Sequence, residues 1–182
     1  MRLFVMLLLA AVVSACTSFK VAPIDEKTGH LPSSSKAAVI MSKPMDLDSR
    51  KALLLVPNSD FVKGQVSNLK YFDDTMTFEE LEKRIVQAGL QDQVPTIHDR
   101  IGVNKAAKHY KDFLWLRYES KGEGRVKSGR FILTDPATME DYFITETTLD
   151  YAFAGVNDQN NWYPMFNALI DYIRQNSKFY KG

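Results

Sequence analysis

The chain has a single cysteine in 182 residues, three histidines and no excess of either charge. One thiol makes no intramolecular disulfide and no multi-thiolate metal site. The 23 Lys+Arg stand against 22 Asp+Glu, and Arg2 alone accounts for the formal +1. Without its first residues the chain is therefore neutral, with no electrostatic footprint for nucleic acid. Gly-x-Ser-x-Gly elbows, phosphate loops and dinucleotide-binding glycine patterns are missing too, which argues against the common hydrolases and nucleotide enzymes. His98-Asp99 and His109 could join Asp73 or Asp74 at a metal, but no His-x-x-x-His or comparable spacing supports this. They read as surface histidines, and no cofactor or metal is expected. Asp73-Asp74 read as favourable charges at a helix start.

Long apolar runs are also absent, except at the amino terminus. There Arg2 precedes 11 apolar residues, Leu3 to Val13, and then Val13-Ser14-Ala15-Cys16. This is the layout of an export signal, too short to span a bilayer, which takes about 20 residues. Val13-Ser14-Ala15-Cys16 resembles the lipobox of bacterial lipoproteins. The resemblance implies a signal peptide over 1–15, acylation of the Cys16 thiol (diacylglycerol) and of the new amino terminus (palmitate), and attachment to a membrane through these chains. An uncleaved anchor is disfavoured by the run's shortness, and a plain secretory signal by the lone cysteine at the cleavage point. In enteric-type lipoproteins an Asp after the cysteine retains the protein in the inner membrane. Thr17 stands there instead, which implies the outer membrane, facing the periplasm.

Residues 16–50 read as the lipidated cysteine and a flexible tether, because Pro23, Pro32, Pro44 and Ser33-Ser34-Ser35 break any periodicity. Within them Ala37 to Met41 could form a short strand or helical turn, a partly ordered lead-in packed on the domain being the plainer reading, and His30 has no nearby ligand partner. A single periplasmic domain is expected over 51–182. It opens with Ala52 to Val56, a strand buried on both faces. A second extended piece follows around Val66 to Phe72. Thr77-Phe78-Glu79-Glu80 has capping-box form with Met76 and Leu81 as a staple. A helix runs from there to Gly89, with i,i+4 pairs Glu79–Lys83 and Glu80–Arg84. A weaker helix covers Val103 to Lys111. Phe113 to Tyr118 is a central strand and Ser120 to Gly124 a turn. Arg130 to Thr134 and Tyr142 to Tyr151 form a hairpin across the turn Asp135-Pro136-Ala137-Thr138. Trp162 to Asn176 is a helix whose wide apolar stripe suits the face of a sheet.

The predicted class is α+β, a mixed or antiparallel sheet of about four strands with helices packed on one face. This order loosely resembles the periplasm-facing α/β domains of penicillin-binding-protein activators, curli-secretion-type lipoproteins and the amino-terminal part of the Tol-system propeller protein. The resemblance rests on Leu53 to Val56, Thr77 to Leu90 and Phe131 to Ile144. Glu140, Asp141, Glu146 and Asp150 read as a wet strand face in preference to an acid–base pair, since Glu146 and Asp150 stand about 13 Å apart. Asn157, Asp158, Asn160, Asn161, Trp162 and Tyr163 make the best contact site for a ligand or partner, amides beside aromatics suiting peptide or glycan. Turning the chain and capping the helix is their plainer role. Two functions follow as expectations. The first is a non-enzymatic lipid-anchored module that docks on an envelope protein. The second is a small-ligand, peptidoglycan or glycan binding module, with a hydrolase a remoter variant.

Overall fold

A computed structural model describes residues 19–123, 126–150 and 158–180. The signal, the lipobox with Cys16, Asn157 and Tyr151 lie outside the described residues, as do the side chains of Asp150 and Asp158. Along the chain come β1 (Ala38–Ser42), a 3₁₀ turn (Leu47–Ser49), β2 (Leu54–Val56), α1 (Asp60–Ser67), β3 (Thr75–Thr77) and α2 (Phe78–Gln87). Then follow α3 (Arg100–His109), β4 (Leu114–Lys121), β5 (Val126–Asp135), β6 (Glu140–Asp150), a π-helical turn (Asp158–Trp162) and α4 (Tyr163–Asn176).

The class is α+β, as expected, but the sheet has six strands in the order β1-β6-β5-β4-β2-β3. The pairs among β1, β6, β5 and β4 are antiparallel, and β2 runs parallel to both β4 and β3. The two strands beyond the expected four are β1, in a proline-broken lead-in, and β3, three residues directly before a helix cap. Helices cover both faces, not one. Leu54, Val56, Leu114, Leu116, Phe131 and Phe143 meet α1 and α4 in one core. Leu53, Leu55, Met76 and Phe113 meet α2 and α3 in another. The alternation along Leu53 to Val56 thus feeds two cores, which is why that run is wholly apolar.

Local signals hold where expected. Thr77 accepts from the Glu80 amide at 3.3 Å and Glu80 accepts from the Thr77 amide at 2.9 Å, closing the capping box. Gly89, at φ +68°, turns the chain out of α2. Asp135 accepts from the Ala137 amide at 2.8 Å and turns β5 into β6. The i,i+4 pairs are replaced by longer-range ones: Glu80 pairs with Lys63, and Arg84 with Asp74 at 2.9 Å. The extended piece expected at Val66 to Phe72 is instead the end of α1 and a turn. α1 is capped by Ser59, whose hydroxyl accepts from the Val62 amide. Its apolar stripe is interrupted by Gln65, which is fully buried all the same. α3 begins earlier than expected because Asp99 caps it, accepting from the Gly102 amide at 2.7 Å.

The largest departure is the lead-in. Residues 19–50 pack on the domain, with Ala22, Leu31 and Leu47 buried. Gln65 brackets Ala22, accepting from its amide at 2.9 Å and donating to its carbonyl at 3.1 Å. Asn167 does the same to Leu31 at 2.7 and 3.0 Å. Backbone groups held on both sides are satisfied as in a ladder, so a segment without periodicity is fixed by its partners.

Candidate docking site

The aromatic and amide cluster at the start of α4 is built into the fold. Asn161 is buried, donating from Nδ2 to the Thr148 carbonyl at 2.9 Å while its own carbonyl accepts from Thr147 Oγ1 at 3.1 Å. The Trp162 ring lies 4.8 Å from Tyr118, 5.7 Å from both Phe61 and Phe19, and 5.9 Å from Phe131. Tyr163 is buried and donates its hydroxyl proton to the Lys20 carbonyl at 2.8 Å. Asn160 is exposed, and its side-chain oxygen accepts from Ser34. Ser35 and Ser33 donate to the carbonyls of Asn160 and Gln159 at 3.0 and 2.9 Å. The loop therefore clamps the serine run of the lead-in, a role that its sequence does not advertise.

That clamp helps to form a groove of about 830 Å³ between the lead-in, α4 and β1, lined among others by His30, Ser33, Val39, Pro164, Ala168 and Asp171. The α4 contributors recur every three or four residues, so they share one helix face. His30, which has no ligand partner near it in the sequence, meets Asp171 Oδ1 through Nε2 at 2.7 Å. Arg174 stands 3.5 Å from the same carboxylate oxygen and donates to the Gly29 carbonyl at 2.9 Å. This polar corner closes one side of the groove. On the other side lies β1, one of the two edge strands of the sheet among the described residues, and it carries Val39 and Ile40, each 54% exposed. Its register shifts between Val39 and Met41, and such a bulge increases local twist.

The carboxylates of the hairpin are engaged by cations. Glu140 meets Lys43 at 2.7 Å, and the hydrogen bonds from Lys43 and then Tyr142 hold its pKa below the usual carboxylate range. Asp141 meets Arg117 at 2.8 Å, and Glu146 meets Arg130. The buried Arg117 also donates to Thr134 at 3.0 Å and lies 5.3 Å over the Trp115 ring. Asp135 takes two hydrogen bonds from Arg50, at 3.0 and 3.1 Å. Burial raises the Asp135 pKa, but the Arg50 bonds and the Ala137 amide outweigh it and leave the pKa lowered. His98 is exposed and 3.9 Å from Glu82. Among the described residues no group of three His, Cys, Asp or Glu is placed to hold a metal ion, and no helix is long and apolar enough to cross a membrane.

The fold is thus an α+β domain with a mixed six-stranded sheet, and the site is a groove beside its outer strand. Among solved structures it is similar to the LpoB C-terminal domain from Salmonella enterica, at 15% identity and a TM-score of 0.39, over 56% of this chain and 84% of that one. The LpoB C-terminal domain from Escherichia coli gives 13% identity and a TM-score of 0.35, over 55% and 83%. These values mark a partial likeness and carry no functional argument. No family profile matches the chain, and no curated protein sequence matches it.

Proposed function

We propose that this protein is a lipid-anchored lipoprotein of the cell envelope whose domain is a non-catalytic docking module. It would sit in the outer membrane and face the periplasm. The anchoring half rests on the Val13-Ser14-Ala15-Cys16 motif behind its short apolar run. Cys16→Ser should abolish lipid labelling and leave an unprocessed precursor, because the thioether cannot form. Normal processing and membrane attachment of that variant would return the chain to the ordinary secreted proteins.

The docking half rests on one observation, the open β1 edge with exposed Val39 and Ile40 beside the groove. An outer strand offers backbone N–H and C=O groups to an added strand, and alternate side chains of that strand can enter an adjoining pocket. The partner we favour is an extended segment of an envelope protein lying along β1. A photo-crosslinking residue at Val39 or Ile40 should capture one partner in intact cells, whereas one at Ile101, on α3, should not. Equal capture at all three positions would sink the docking reading. The rival is a glycan or muropeptide ligand at Asn157 to Tyr163. Asn160 is exposed there, so saturable binding lost on Asn160→Ala at unchanged melting temperature would favour the rival.

A further inference from the structure

Residues Phe19 to Ala22 are fastened to the domain at every position. The Phe19 ring packs 5.4 Å from Phe61 and 5.7 Å from Trp162. The Lys20 carbonyl accepts from Tyr163. Val21 lies so close to Gly64 that a Cβ there would come within 2.8 Å of its Cγ2. Ala22 is bracketed by Gln65, and its carbonyl also accepts from Asn68 at 2.8 Å. Only Thr17 and Ser18 separate this strap from Cys16.

We infer that the domain does not hang on a long leash but is held against the lipid surface, with the Phe19–Val21–Trp162 end facing the bilayer. This rests on the lipoprotein reading of Cys16. From the Cys16 Cα to the Phe19 Cα is at most about 11 Å of extended chain, whereas a free 17–50 tether would reach about 110 Å. Acyl chains on Cys16 hold that residue at the headgroup level, so the strap must lie within about 11 Å of it. The chemistry of the end agrees. Phe19 and Val21 stand two apart in the strap and are 40% and 47% exposed, apolar side chains suited to the headgroup–acyl boundary, and Trp162 is half-buried beside Phe19. The groove and the β1 edge then work at a fixed height above the membrane.

The test uses the full, processed protein in phosphatidylethanolamine/phosphatidylglycerol vesicles that carry a headgroup spin label. With Trp115→Phe, the emission of Trp162 should be strongly quenched, a short-range effect that reports contact at the surface. A second protein, with Trp115→Phe, Trp162→Phe and Ile101→Trp, places the probe on the opposite face of the sheet and should be quenched far less. Inserting about 20 Gly/Ser residues after Ser18 allows a separation of about 25 Å and should remove the Trp162 quenching. The mass of each protein reports its acyl chains, and its thermal melt reports folding. If the chains are present and both probes are quenched alike, or neither is, the orientation is wrong and the lipoprotein reading stands. Persistence of Trp162 quenching after the insertion also overturns the short-leash account. Absence of acyl chains overturns both.

Discussion

Single side chains with unlike fates set the acid stability and the aromatic core. Asp135 is buried against Arg50 with its pKa lowered. A carboxyl whose folded pKa lies below its unfolded value, about 3.9, contributes stability that is fully present above that value. The contribution is lost as pH falls through the folded pKa. Unfolding free energy measured by denaturant should therefore drop below about pH 4, and Asp135→Asn should flatten that limb. At neutral pH the same variant should cost about 2–3 kcal/mol, since Arg50 loses its buried charged partner and keeps only the exposed Asp112, 2.8 Å away. Trp162→Ala should cost about 3 kcal/mol by emptying the space among Tyr118, Phe61, Phe19 and Phe131. Denaturant midpoints would show that loss, and a midpoint equal to that of the parent protein would put Trp162 outside the core. Tyr172 is buried and donates to the Lys43 carbonyl at 2.8 Å. Burial, its leading cause, pushes its pKa up to about 12.

Elements whose signals are local were legible, and those decided by distant partners were not. Thr77 to Glu80 announces α2 by its own spacing, and Thr77→Ala should cost about 1 kcal/mol in equilibrium unfolding, the value of a lost cap. The Asp135 turn announces the β5–β6 hairpin in the same way. α1 was hidden because Gln65 breaks the apolar stripe, and that glutamine is buried only because Ala22, forty-three positions earlier in the chain, supplies both of its partners. β1 has no local signal that separates a strand from a helical turn or a packed lead-in, because its register is set by β6, about a hundred residues later. The groove was illegible for the same reason, since its two walls come from residues 25–39 and 164–175. Ile40→Lys on the exposed edge should change stability by no more than about 0.5 kcal/mol while abolishing partner crosslinking at Val39. Unchanged crosslinking there would argue against strand addition.

At the scale of the whole molecule the lead-in belongs to the folded unit. A chain beginning at Ser33 loses Ala22 and Leu31 from the core and strips Gln65 of its partners. It should unfold at least about 3 kcal/mol more easily than a chain beginning at Thr17, whereas equal stability would restore the tether. The same arrangement also bears on the order in which the chain can close. The β4–β5–β6 meander joins neighbours in sequence, but β1 pairs with β6, Leu31 is bracketed from α4, and the Met45 amide is held by Asn176 at 2.9 Å. Contacts of such separation form late. A nascent chain emerging from its amino end therefore cannot shut its fold until the last helix has been made, so it stays slack and threadable throughout synthesis, the state that the export proposed above would need.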